Sequence, residues 1–232
     1  MDTQIIETVI QASLNEMFNI GSEFKKNLIN EALNTKIIFP CKWKTNEPVG
    51  NRVSEQEARF IFINYLEKER GFDGYYSVEA PTRYKYRFYG EKEPYVDIID
   101  NQVNCSSASV DVCLYNKNLE RVGLVEFKAH NVNWFSIQKD LLKILIEGKG
   151  DCFFVHVLES SNKGTLFSLN KDKYLGIVDK YKKTIAAIYS KYKSNIRANR
   201  IIFYIGDIKE KKITRMMISL DDIAKGNYSS LQ

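Results

Sequence analysis

Apolar side chains recur every three or four residues at the start of the chain, as in a helix with one buried face. They occupy Ile5, Ile6, Val9, Ile10, Leu14, Met17 and Phe18. The first helix is expected to end at the segment Asn19-Ile20-Gly21-Ser22, which also supplies a new N-cap. A second helix is therefore predicted from Glu23 to Leu33. Residues 36–53 contain two prolines and show no period, so we expect a loop there. We interpret residues 1–50 as a helical extension that precedes a domain of residues 51–232.

The rest of the chain changes from helical to strand-like spacing and back. Ser54 as an N-cap, with Glu57 three residues later, predicts a helix over 54–70. Five strand-like segments follow, at 75–80, 82–89, 95–99, 108–115 and 121–128. Further elements are predicted at 134–146 (helix), 152–158 (strand), 171–194 (helix), 201–205 and 213–219 (strands), with a short helix after Asp222. This order predicts an α/β fold in which helices flank a mixed β-sheet.

Composition narrows the class of protein. Hydrophobic residues make up 44% of the 232 residues, which excludes a disordered chain. No apolar run reaches about 18 residues, and acidic residues stand where a secretory signal has basic ones, so we expect a cytoplasmic protein without a membrane partner. Two histidines and no Cys-x-x-Cys pair argue against a zinc site. The net charge of +5 allows a nucleic-acid partner but does not require one.

The segment that carries candidate chemistry is a predicted hairpin over residues 108–128. Because side chains alternate between faces along a strand, Glu126 and Lys128 are expected to point the same way. Asp111 lies on the preceding strand, and we expect its carboxylate to meet that of Glu126. Two carboxylates beside a lysine suit a hard divalent cation such as Mg²⁺. The alternative without a functional role is that Glu126 and Lys128 form a solvated ion pair at a sheet edge.

Asp111, a 14-residue gap and Glu126-Phe127-Lys128, with an apolar run before the glutamate, resemble the motif of the PD-(D/E)xK nuclease superfamily. The resemblance covers residues 54–206 and implies a restriction-endonuclease-like core with an N-terminal helical extension. Val110 stands where that motif has a proline, and Asp97 competes with Asp111 for the acidic position. We prefer Asp111 because its hairpin leads directly into the strand with Glu126.

The resemblance implies a metal-dependent nuclease that hydrolyses phosphodiester bonds of DNA. Asp111 and Glu126 would bind Mg²⁺ or Mn²⁺, and Lys128 would position the attacking water. Glu55 is similar to a glutamate that often joins this site from the first core helix, although it also suits the first turn of any helix. The alternative function is a non-catalytic nucleic-acid-binding or regulatory protein that keeps the nuclease fold, and a third possibility is a coincidental match in an α/β domain with no nucleic-acid role. A homodimer is left open.

Two further sets of residues are candidates for nucleic-acid contacts. Arg83, Lys85 and Arg87 alternate with tyrosines along a predicted strand and would form a basic strip, which is otherwise a solvated strand face. Gln138 and Lys139 lie on the helix after Lys128, which looks like the helix that follows this motif in the superfamily. Their alternative is an ordinary helix surface.

Overall fold

The computed structural model describes residues 2–23, 36–88, 96–99, 106–167 and 175–225. The helices are α1 (Thr3–Glu23), α2 (Glu55–Lys68), α3 (Trp134–Glu147), α4 (Lys163–Leu166), α5 (Ile177–Tyr192) and α6 (Leu220–Ala224). The strands are β1 (Cys41–Lys44), β2 (Glu47–Asn51), β3 (Tyr75–Phe88), β4 (Val96–Ile99), β5 (Ser106–Tyr115), β6 (Arg121–Ala129), β7 (Gly150–Leu158), β8 (Ala198–Asp207) and β9 (Lys212–Ser219).

Seven strands form one mixed sheet in the order β4-β3-β5-β6-β7-β8-β9. β6, β7 and β8 run parallel, and every other neighbouring pair in this sheet is antiparallel. The two parallel connections contain helices, α3 before β7 and α5 before β8. Because these three strands run in the same direction, their carboxyl ends lie side by side at the same end of the sheet.

Helices cover both faces of the sheet and create two hydrophobic cores. Apolar residues of α3, α5 and α6 pack with Leu124 and Phe154 on one face. Those of α1 and α2 pack with Phe127 and Val155 on the other face. Successive side chains of β6, from Leu124 to Phe127, thus point alternately into these two cores. A polar side chain on β6 is therefore buried whichever face it points to.

The predicted α/β architecture is confirmed: antiparallel strands within residues 75–129 join a mixed sheet, with α2 and α3 packed on opposite faces. The hairpin turn at Asn116-Lys117-Asn118 is also present between β5 and β6. The restriction-endonuclease-like core remains a proposal. The division at residue 50 also remains a prediction, and α1 contributes Ile6, Val9 and Leu14 to the core under the sheet.

Three predictions near the N-terminus and on α5 differ from the structure. The first helix does not stop at Asn19 but continues through Gly21 to Glu23, and residues 24–33 of the predicted second helix lie outside the described residues. The predicted loop over 36–53 contains the antiparallel hairpin β1–β2, whose turn residues Thr45 and Asn46 have positive φ angles of 50° and 69°. α5 begins at Ile177, after Gly176 as its N-cap, and residues 171–174 of the helix predicted over 171–194 lie outside the described residues.

The two strand-like segments 75–80 and 82–89 are one strand, β3, through Phe88. Its pairing with β5 is irregular between Pro81 and Lys85, and Glu79 has a φ of 50°. Proline lacks the N–H group that a regular ladder uses, which explains why the sequence reads as a break at this position. None of the described helices is long and apolar enough to cross a membrane.

Candidate active site

The candidate site lies where β5 and β6 separate. Their ladder ends at the pair Val112 and Val125. Beyond it, side-chain carboxylates accept the hydrogen bonds of the β6 backbone: Phe127 N–H donates to Asp111 Oδ2 at 2.8 Å, and Ala129 N–H donates to Glu55 Oε1 at 3.2 Å. Two of the predicted site residues are therefore fixed to the strand that carries the other two.

Glu126 and Lys128 point to the same face of the sheet, as their spacing predicted, and α3 packs against that face. Both are buried: the Glu126 side chain is 3% exposed and that of Lys128 is 10% exposed. The interpretation as a solvated edge pair is therefore wrong. Glu126 and Lys128 do not pair with each other, and each finds its ion partner on a helix.

Lys128 is held by carboxylates from two helices. Its Nζ lies 2.7 Å from Asp140 Oδ2 on α3 and 3.3 Å from Glu55 Oε1 on α2. Burial lowers the pKa of Lys128, but the charge and hydrogen bond of Asp140, together with Glu55, outweigh burial and raise that pKa above its usual value. Lys128 is therefore an ammonium at neutral pH, which donates hydrogen bonds and cannot accept a proton.

Lys143 on α3 lies between the separated strands. Its Nζ is 2.8 Å from Ser109 O on β5, 2.9 Å from Glu126 Oε1 on β6 and 2.9 Å from Asp140 Oδ1. Burial raises the pKa of Glu126, the nearby carboxylates of Asp140 and Asp111 raise it further, and Lys143 opposes them. The effect of the Asp111 charge on the pKa of Glu126 indicates that these two carboxylates are within electrostatic range of each other.

Asp111 is oriented by α2. Arg59 Nη1 donates to Asp111 Oδ1 at 3.2 Å and also pairs with Glu79, which accepts a further hydrogen bond from Ser109 Oγ at 2.7 Å. These hydrogen bonds from Ser109 and Arg59 lower the pKa of Glu79 and keep it ionised. Asp97 lies on β4, three strand spacings or roughly 14 Å from β6, so topology favours Asp111 as the acidic partner.

The connected polar cluster contains five carboxylates and three cations. The acids are Glu55, Glu79, Asp111, Glu126 and Asp140, and the bases are Arg59, Lys128 and Lys143. When all eight groups are ionised, two negative charges are in excess. This excess corresponds to Glu55 and Glu79, whose side chains are 42% and 55% exposed to water, while Asp111, Glu126 and Asp140 are matched by the three cations.

The donor set fits a hard divalent cation. The candidate ligands Asp111 and Glu126 offer carboxylate oxygens, and Glu126 Oε1 is buried without an aligned hydrogen bond, although Lys143 Nζ is 2.9 Å away. Within the described residues, no three His, Cys, Asp or Glu side chains converge as a ready metal cluster. The carboxylates alternate with lysines and an arginine, so the cations of the protein now lie between the oxygens.

The predicted nucleic-acid contacts fall in different surroundings. Arg83 donates through Nε to the buried carboxylate of Glu147 at 3.2 Å, and thereby fastens β3 to the end of α3. Lys85 is exposed on β3, while the side chain of Arg87 lies outside the described residues. Gln138 is buried, and Lys139 Nζ lies 6.0 Å from the centre of the Phe135 ring. Their contacts with nucleic acid stay a prediction.

Sequence reasoning missed four members of the cluster: Arg59, Glu79, Asp140 and Lys143. Asp140 and Lys143 were visible as an acid and a base three residues apart on a helix, a spacing that places them on one face. Their burial could not be recognised, because charged residues on an amphipathic helix normally face water.

Comparison with protein-family models, curated proteins and solved structures gives no match to this chain.

Proposed function

We propose that the protein is a metal-dependent nuclease with a PD-(D/E)xK site. The observation that carries the proposal is the arrangement of half-buried Asp111 with buried Glu126 and Lys128 at the point where β5 and β6 separate. Burying the charged groups of Glu126 and Lys128 at the centre of a sheet has a cost in free energy, which is a common feature of catalytic sites.

The order of elements supports the same proposal. α2, the antiparallel strands β3, β5 and β6, then α3 and the parallel strand β7 match the αβββαβ order that the resemblance implies, with the four-residue strand β4 added between β3 and β5. Glu55 lies at the start of α2 and contacts Lys128, as expected for a glutamate that joins the site. The restriction-endonuclease-like core is therefore part of the proposal.

Asp111 and Glu126 would hold Mg²⁺ or Mn²⁺. When bound, the cation supplies an acidified water molecule and neutralises negative charge on the phosphodiester. Lys128 supplies a fixed ammonium, which donates a hydrogen bond to the attacking water or to a phosphate oxygen as negative charge develops. Glu55 and Asp140 hold this ammonium in place, and Arg59 orients Asp111.

Lys128→Ala tests the proposal. Plasmid, single-stranded DNA and RNA of the same sequence are incubated with purified protein in Mg²⁺ or in EDTA. We expect cleavage of DNA that requires the metal, and a turnover at least 100-fold lower in Lys128→Ala, a barrier increase of about 3 kcal/mol. Lys149→Ala removes an exposed lysine just beyond α3 and serves as the matched control.

The outcome also separates the rival function. Equal cleavage by wild type and Lys128→Ala would refute the catalytic role of this lysine. Binding of nucleic acid without cleavage by either protein, in the presence of Mg²⁺ and Mn²⁺, would favour the non-catalytic binding protein. Circular dichroism of Lys128→Ala checks that a loss of turnover does not come from unfolding.

A further inference from the structure

The ammonium of Lys143 occupies an oxygen-lined position in the candidate site. Its three oxygen neighbours come from three elements: the carbonyl of Ser109 on β5, the carboxylate of Glu126 on β6 and that of Asp140 on α3. Carboxylate and carbonyl oxygens are also the ligands that Mg²⁺, Mn²⁺ and Ca²⁺ prefer. The position that Lys143 fills is therefore suited to a metal ion as well as to an ammonium.

The fit of Lys143 to this position is imperfect. Glu126 Oε1 lies 2.9 Å from Lys143 Nζ but makes no aligned hydrogen bond to any group in the described part of the chain. Gln138 Oε1, on the same helix as Lys143, is likewise buried without a hydrogen-bond partner there. A divalent cation in this position would coordinate Glu126 Oε1 directly and give this buried oxygen the partner that it lacks.

We propose that Lys143 is a built-in counterion that holds the cation position in the metal-free protein, and that a divalent cation displaces it. This inference rests on the metal site of the proposed function and adds Asp140 and the Ser109 carbonyl as oxygens available at that site. Lysine suits the role because its charge is carried on a flexible four-carbon stem, which can withdraw while the helix stays in place. The ammonium and the metal then compete for Glu126.

Lys143→Met tests this competition without any nuclease assay. The variant keeps a side chain of similar length but loses the charge, so the excess of negative charge in the cluster grows from two to three. Calorimetric titration with Mn²⁺ is expected to give a dissociation constant at least tenfold lower than that of wild type. Lys149→Met, which removes an exposed lysine outside the cluster, should bind Mn²⁺ as wild type does.

A second measurement uses wild type alone, in case Lys143→Met does not fold. The Lys143 side chain is 9% exposed, so limited acetylation read by mass spectrometry should label it slowly. Saturating Mg²⁺ should raise its labelling rate several-fold, while labelling of Lys149 stays constant. A Lys143 rate that does not respond to Mg²⁺ would overturn the displacement.

The results also separate this inference from the proposed function. If wild type binds Mn²⁺, Asp111→Asn binds it more weakly and Lys143→Met binds it no more tightly than wild type, the counterion role is wrong and the metal site stands. If neither wild type nor Lys143→Met takes up Mn²⁺, both the metal site and the counterion role are overturned. Tighter Mn²⁺ binding by Lys143→Met supports the inference even if no nucleic acid is cleaved.

Discussion

The stability of the protein is expected to fall in mild acid because of a buried histidine. His156 lies in β7 and is fully buried. Its ring nitrogens contact the hydroxyl of Tyr181 and, at 2.5 Å, the backbone oxygen of His130. Burial, reinforced by the positive charges of Lys128 and Lys180, lowers the pKa of His156 from 6.5 to about 4, against the opposing effect of the His130 carbonyl.

The direction and size of the effect follow from proton linkage. Between the two pKa values the unfolded chain binds a proton that the folded protein does not, so the free energy of unfolding falls as the pH decreases. The contribution is fully present above about pH 6.5. About 1.4 kcal/mol should be lost by pH 5.5 and about 3 kcal/mol by pH 4, since one pKa unit corresponds to about 1.4 kcal/mol.

Urea unfolding at several pH values between 7.5 and 4.5 measures this contribution. Other groups also titrate in this range, so the comparison is with His156→Gln, which cannot take up the proton. We expect the stability gap between the two proteins to narrow steadily as the pH falls. A gap that stays constant from pH 7.5 to 4.5 would refute the reasoning. His130→Asn, which suits the left-handed backbone at this exposed residue, should retain the wild-type pH dependence.

Two more predictions concern the packing that holds the site. Glu147→Ala should lower the free energy of unfolding by about 3 kcal/mol, because buried Glu147 accepts hydrogen bonds from the backbone of Arg83 and from the Tyr86 hydroxyl; a thermal shift below 2 °C would contradict this. Gly206→Ala should lower the free energy of unfolding, measured in urea, by about 1–3 kcal/mol, because its Cβ would lie 2.7 Å from Leu14 Cδ2. Unchanged stability would contradict this prediction and would show that α1 can shift to accommodate the added methyl group.

The local pattern of the sequence was sufficient for most of the sheet. Hydrophobic alternation and the Asn116-Lys117-Asn118 turn predicted β5, β6 and the hairpin between them, because these depend on neighbours in the chain. The pattern predicted the wrong structure where tertiary packing outweighed a weak local preference. Gly21 did not end α1, since burial of Met17, Phe18 and Ile20 favours the helix over the stop that glycine suggests. The β1–β2 hairpin was missed because its strands are only four and five residues long.

The sequence by itself determined that Glu126 and Lys128 share a face of one strand and that Asp111 lies on its hairpin partner. Only the tertiary structure decided their partners. The ladder between β5 and β6 stops at Val112, and α3 brings Asp140 and Lys143 into the gap. That arrangement depends on how a helix packs on a sheet after the chain has folded, and no spacing along the sequence encodes which charged residues of the helix become buried.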